Sequence, residues 1–143
     1  MPRRLKRVHH MILTPPIYDP RMEPRKIAQF VAAGRVGFGA MCLMIPRVIL
    51  GPPAREASGP MVWMIRAFGI RDIVLGAGAL NALNNGQDEA TWVKAGAVAD
   101  TADAITAVAF ARELGGASTA ATLSLAVPAA GLGWFAASHM ATT

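Results

Sequence analysis

Six charged side chains within the long apolar stretches of this sequence are the residues best able to do chemistry there. They are three cations and three anions: Arg35, Arg66, Arg71, Asp72, Asp100 and Asp103. A charge inside a bilayer costs about 2.5 to 3.5 kcal/mol on insertion scales, so each is expected to face protein and find a partner. Paired carboxylates can serve acid–base chemistry. Carboxylates paired with arginine, however, stay ionised and transfer protons poorly.

Helical spacing places these charges in one layer beside small residues. Counting about 1.5 Å per residue puts five of them roughly 12 to 18 Å from one membrane face, with Arg66 near the opposite interface. Two stripes at three- and four-residue spacing hold the acidic members: Gly96, Asp100, Asp103 and Ala107, and Gly69, Asp72, Gly76 and Ala79. Small residues let a neighbouring helix approach closely enough to pair with a charge. We therefore predict one charge network, with the arginine–aspartate pairing left open, made of Arg35, Arg71, Asp72, Asp100 and Asp103.

Four apolar segments carry the network, and together they predict an all-α fold. Residues 27–45, 61–83, 91–110 and 117–137 form a transmembrane four-helix bundle in this interpretation, which spans residues 27–140. The first segment reaches about 29 Å, close to the ~30 Å hydrocarbon core of a bilayer. The third is the least hydrophobic and is also compatible with a soluble amphipathic helix, but it links two stronger spans. The glycines predicted at helix contacts are Gly34, Gly37, Gly69, Gly76 and Gly96.

Composition supports a membrane protein with a basic, extended N-terminal tail. Hydrophobic residues make up 53% of the chain and charged residues 16%, against about 25% charged in an average globular protein. Seven cations precede the first span, within the predicted tail of residues 1–26: Arg3, Arg4, Lys6, Arg7, Arg21, Arg25 and Lys26. By the positive-inside rule, this predicts a multi-pass membrane protein with both termini cytoplasmic. The tail is predicted to contact anionic lipid or a partner, and no nucleic-acid motif accompanies it.

The residues that usually hold metals and cofactors are few and widely spaced. The single Cys42 lies in an apolar segment, where a buried thiol is the ordinary interpretation. His9 and His10 lie in the tail and His139 near the C-terminus, so no histidine is placed to bind haem within a span. We expect no metal, no cofactor and no cleavable signal peptide.

The second apolar segment contains the motif G-x-R-D-x-x-x-G, from Gly69 through Arg71 and Asp72 to Gly76. With Gly34-Arg35 and Ala99-Asp100, it resembles small bacterial four-helix membrane proteins that are common in actinobacteria and broadly DoxX-like. The resemblance covers residues 27–140 and leaves the tail outside. It implies a four-helix fold in the bacterial inner (plasma) membrane and no established activity.

Two functions remain open at this point. The first is a non-catalytic accessory or stabilising subunit of a larger inner-membrane complex, in a lipid-transport or respiratory assembly, with other membrane subunits and lipids as partners. This is favoured because the sequence shows no catalytic constellation and offers more small-residue faces than one bundle needs. The alternative is a small membrane enzyme or a lipid- or quinone-binding protein that uses the Arg/Asp layer.

Overall fold

A computed structural model describes residues 22–50 and 57–140 of the 143-residue chain. The described residues form helices joined by short turns, and no strand is found among them. The helices are α1 (Met22–Met44), α2 (Pro46–Ile49), α3 (Gly59–Asn85), α4 (Glu89–Ala109), α5 (Ala111–Leu114) and α6 (Gly116–Met140). The predicted all-α class is therefore confirmed. Seven residues singled out in the tail lie outside the described part of the chain: Arg3, Arg4, Lys6, Arg7, His9, His10 and Arg21.

The helix ends differ from the predicted segment bounds. α1 begins at Met22, so the last residues of the predicted tail are helical. Pro24 is tolerated because N–H groups of a first turn have no helical partner, and Glu23 interacts favourably with the positive end of the helix dipole. α2 occupies part of the predicted first loop, with a proline at its first position.

Capping residues and glycine turns define the ends of the helices. α3 ends at Asn85 and is capped by Gly86, whose φ of 68° is left-handed and whose N–H donates to the carbonyl oxygen of Ala82. α3 begins after Ser58, whose side chain accepts a hydrogen bond from the Met61 N–H at 3.4 Å. Gly115, with a φ of 76°, separates α5 from α6. Glycine fits both left-handed positions because it has no Cβ.

The four long helices pack in a closed order. α1 packs on α3 and α4 packs on α6, while α1 also contacts α6 and α3 contacts α4. α1 and α3 touch backbone to backbone: a side chain at Gly69 would place its Cβ 2.6 Å from the Gly39 carbonyl oxygen. A second approach lies at Gly76, where a Cβ would be 2.6 Å from the Ala32 carbonyl oxygen. Such distances are shorter than van der Waals contact, so this pair of helices requires glycine at both levels.

A typical soluble core buries large apolar side chains, whereas the buried side chains of this protein are mostly small. Most buried apolar residues of the described part are alanine, and the others are Cys42, Leu83 and Val93. Large apolar side chains point outward instead, among them Phe30, which is 76% exposed, and Trp63, which is 70% exposed. The helices therefore meet through small residues and present their large apolar residues to the surroundings.

Two helices have the length and hydropathy to cross a membrane, within the described residues. They are Glu23–Met44 and Gly116–Met140, each with a mean hydropathy of 1.5. α3 and α4 are long enough, but Arg71, Asp72, Asp100 and Asp103 lower their mean hydropathy. By length and composition alone, the fold thus contains two apolar helices suited to a membrane.

One polar contact joins three helix ends. Arg25 donates from Nη1 to both carboxylate oxygens of Glu89, at 2.6 and 2.7 Å, and from Nη2 to the Leu83 carbonyl oxygen at 2.7 Å. The start of α1 is thereby held to the end of α3 and the start of α4. Sequence reasoning assigned Arg25 to a partner or to anionic lipid, whereas this geometry uses it within the chain.

An Arg25→Gln variant is expected to lose about 1 kcal/mol of unfolding free energy, since a partly exposed ion pair is worth about that much. Unfolding of the detergent-solubilised protein, followed by circular dichroism, measures the change. Arg112→Gln is the matched control, because Arg112 is exposed in α5 and forms no ion pair with any described residue. Equal stability of the two variants would show that the contact does not hold the helix ends.

Candidate functional site

Arg35 is the centre of a buried charge network that joins three helices. Its side chain, on α1, is 8% exposed. Nη1 donates to Oδ1 of Asp72 on α3 at 3.0 Å. Nη2 donates to Oδ2 of Asp100 and, at 2.6 Å, to the carbonyl oxygen of Gly96, both on α4. One guanidinium therefore binds α1, α3 and α4 together.

Gly96 makes room for this guanidinium. A Cβ at position 96 would lie 3.2 Å from both Nε and Nη2 of Arg35. The spacing of Gly96 and Asp100, one helical turn apart, lets a single arginine reach a carbonyl and a carboxylate on the same face of α4. The glycine thus has a specific role in the site besides helix packing.

Arg71 forms the second half of the network, nearer the surface. It donates from Nη1 and Nη2 to the two carboxylate oxygens of Asp103 at 2.9 and 2.7 Å, and from Nη2 to Oδ1 of Asp72 at 3.4 Å. Its guanidinium carbon lies 5.3 Å from the centre of the Phe68 ring, within the range of cation–π attraction. Its Nε is buried and has no hydrogen-bond partner among the described residues. Arg71 therefore bridges α3 and α4.

The structure brings together all five residues of the predicted network and selects one pairing. Arg35 binds Asp100, Arg71 binds Asp103, and Oδ1 of Asp72 accepts from both arginines. Arg66, the sixth charge of the apolar segments, is exposed and forms no ion pair with a described residue. The formal charge of the network is −1, since it contains two arginines and three aspartates.

The space beside the network is small. A cavity of about 20 Å³ borders Arg35, Asp100 and Trp92. A single water molecule needs roughly 10–15 Å³ on this measure, so the cavity holds about one water. A quinone or a lipid headgroup does not fit there. The inner half of the network, formed by Arg35, Asp72 and Asp100, therefore has room for a water molecule and for no larger ligand.

The five predicted helix-packing glycines fall into two groups. Gly69 and Gly76 lie where α3 meets α1, and Gly96 lies against Arg35. Gly34 and Gly37 instead face open space, since a Cβ at either position would meet no atom of the described residues within 4 Å. Neither glycine therefore packs against another helix among the residues that the structure describes.

Three contacts of the site were missed by sequence reasoning. Gly39 is not among the predicted packing glycines, although it faces Gly69 across the α1–α3 contact. The Trp92 ring fills the space that a side chain at Gly78 would need. Trp134 donates from Nε1 to the Thr101 hydroxyl oxygen at 3.1 Å, joining α6 to α4. The recurrence of glycine in α1 and α3 is the one sequence signal for the contact between Gly39 and Gly69. The two tryptophan contacts depend on which helix faces meet, and the sequence does not show that.

No group of three or more His, Cys, Asp or Glu side chains that could hold a metal ion occurs in residues 22–50 and 57–140. No protein-family model, curated protein or solved structure matches this chain. The arrangement of the network and the character of the exposed surface are therefore the basis for inferring function.

Proposed function

We propose that this chain is a four-span inner-membrane protein that acts as a non-catalytic accessory subunit of a larger membrane complex. The reversed distribution of side chains, with alanine inside and large apolar residues outside, is the observation that carries the proposal. Soluble monomers rarely expose extended apolar surface, whereas helices in lipid meet through small residues and expose large apolar ones. A lipid-transport or respiratory complex is the proposed host.

The two apolar helices support the membrane placement. Only 28% of the most apolar stretch of each helix is buried inside the structure, whereas a core helix of a soluble protein is mostly buried. α3 and α4 contain 27 and 21 residues, enough to cross a bilayer. Their charges at mid-length turn toward one another, which removes the main energetic objection to placing them in lipid.

The geometry of the network supports a structural role for it. Each of the three aspartates accepts a hydrogen bond from an arginine. Breaking a buried pair costs about 3–5 kcal/mol, so the network fixes which helix faces meet. The adjoining cavity has room for about one water. These features favour a clamp between helices over a substrate site.

An exposed face of α1 supports the proposed role as a subunit. Phe30, Gly34, Gly37, Met41 and Met44 follow one another at three- and four-residue spacing and are all exposed. They therefore share one helix face. Its two central glycines leave open space that a helix of another subunit can enter.

A leucine at Gly37 is expected to release the protein from its complex without unfolding it. Native membranes are solubilised in mild detergent, and the size of the particle that contains the chain is measured for Gly37→Leu and wild type. Gly131→Leu, at an open glycine on α6, is the matched control. The wild type and the control should migrate in a large particle. A wild-type protein that migrates alone at 15 kDa would contradict the subunit role.

The outer half of the network favours a second candidate, a small membrane enzyme or a lipid- or quinone-binding protein. The side chains of Arg71 and Asp103 are 33% and 26% exposed, so a ligand at the α3–α4 seam can reach them. Asp103→Asn separates the candidates: loss of activity with normal assembly favours the second, and loss of assembly favours the first. The resemblance of G-x-R-D-x-x-x-G to DoxX-like proteins stays a prediction and is compatible with both.

A further inference from the structure

An open cleft lies at the end of the bundle where α1 ends and α3 begins. It has a volume of about 480 Å³ and is lined by Met44, Ile45, Pro46, Arg47, Val48, Val62 and Arg66. Its walls come from α1, α2 and α3, so the short helix α2 closes one side. The cleft is more than twenty times the volume of the cavity beside the charge network, at about 480 against 20 Å³.

Among the described residues that line this cleft, two are charged, and both are arginines. Neither Arg47 nor Arg66 forms an ion pair or a side-chain hydrogen bond with a residue of the described ranges, 22–50 and 57–140. The remaining walls are apolar. A guanidinium binds a phosphate through parallel N–H···O bonds, so two unpaired arginines make the cleft suited to a phosphate group.

The position of the cleft along the helices agrees with a lipid headgroup. Arg66 lies six residues before Asp72 on α3, about 9 Å nearer the helix end. A flexible side chain of that length can extend to the membrane interface. Trp63, exposed one turn further toward that end, is of the type that lies at headgroup level.

Acyl chains would have an apolar path from this cleft toward the middle of the membrane. Ile70 and Val74 on α3 are exposed and follow Arg66 at four-residue spacing toward the middle of the helix. They continue the apolar surface of the cleft inward along the same helix face. The phosphate end and the chain end of a phospholipid are therefore both accommodated.

We propose that this cleft binds one anionic phospholipid, with its phosphodiester held between Arg47 and Arg66. The site rests on the proposed membrane placement but not on the subunit role. It is distinct from Arg25 and Lys26, since it lies at the opposite end of α1. The bound lipid fastens α2 to the start of α3.

Native mass spectrometry of the full chain in detergent tests the site, with dioleoylphosphatidylglycerol added as the probe. The wild type is expected to retain one phosphatidylglycerol in preference to dioleoylphosphatidylcholine. The double variant Arg47→Gln/Arg66→Gln should bind it about tenfold more weakly or worse, because two charge-assisted contacts are lost. Arg112→Gln removes one exposed cation at the same end of the bundle and should bind as the wild type does.

Three results would overturn the lipid site. They are equal retention of the two lipids by the wild type, equal weakening by Arg112→Gln, and displacement of the lipid by an equal concentration of inorganic phosphate. Carbonate extraction of the same variants is run in parallel. If all variants resist extraction but phosphatidylglycerol binding is unchanged in the double variant, only the lipid site fails. If carbonate extracts the wild type, the membrane placement fails with it.

Discussion

Replacing Arg35 with methionine is expected to lower the free energy of unfolding by about 3–5 kcal/mol, the largest effect of any single substitution discussed. The change removes the arginine that binds Asp100 and leaves Asp72 with only the 3.4 Å contact from Arg71. Two buried carboxylates are then poorly compensated in a region of low dielectric. Unfolding in mixed detergent micelles, followed by circular dichroism, measures the loss.

The matched control for this substitution is Arg112→Met, which removes an exposed arginine of α5 that forms no ion pair with a described residue. Its effect on unfolding should be small. Adding Asp100→Asn to Arg35→Met should recover part of the loss, because the second change removes the unpaired charge. A coupling energy of about 0.5–3 kcal/mol between the two positions is expected. Equal destabilisation by Arg35→Met and Arg112→Met would show that the network does not hold the helices together.

Adding one methyl group at Gly76 is expected to destabilise the protein by about 1–3 kcal/mol. The new Cβ would lie 2.6 Å from the Ala32 carbonyl oxygen, 2.9 Å from Cγ2 of Val36 and 3.1 Å from Cβ of Arg35. A backbone oxygen cannot move aside alone, so Gly76→Ala must push α1 away from α3. This separation would also lengthen the bond between Arg35 and Asp72.

The control substitution for this prediction is expected to change the stability in the opposite direction. Gly37→Ala introduces the same methyl group on α1 where no atom lies within 4 Å. Alanine is favoured over glycine in a helix by about 1 kcal/mol, so this variant should be neutral or more stable than wild type. Both are compared by the same detergent unfolding measurement. A stabilised Gly76→Ala variant would mean that α1 and α3 are further apart than the structure places them.

The helical class and the members of the network were accessible to sequence reasoning for a physical reason. Charges within apolar segments must find partners, and a rise of about 1.5 Å per residue fixes their level along each helix. Arg35, Arg71 and Asp100 therefore had to share a layer once the helices were placed. The pairing was left open, because it depends on which faces meet. Oδ1 of Asp72 accepts hydrogen bonds from both arginines, and no periodicity in the sequence predicts this shared contact.

The features that sequence reasoning missed depend on contacts between helices distant in the chain. Arg25 reaches Glu89 and the last turn of α3 only because three helix ends come together, so its basic neighbours suggested a surface role instead. Gly34 and Gly37 resemble packing glycines in the sequence, but they face outward because Gly39 is the residue that meets α3. A stripe of glycines shows that another helix can approach closely, but it does not show which helix does so.

Whether α4 lies inside the membrane decides the four-span fold, because α4 carries two of the network aspartates and is not apolar enough to be identified as a span. Val98 is exposed on α4, two residues before Asp100. In a Cys42→Ala background, Val98→Cys is treated with a polar maleimide in membrane fragments open on both sides, and Gln87→Cys, in the turn before α4, is the positive control. The cysteine at position 98 is expected to react only after the membrane is dissolved in SDS, because the reactive thiolate does not form in hydrocarbon. Reaction in undissolved membrane fragments as fast as at position 87 would place α4 in water and contradict the four-span fold.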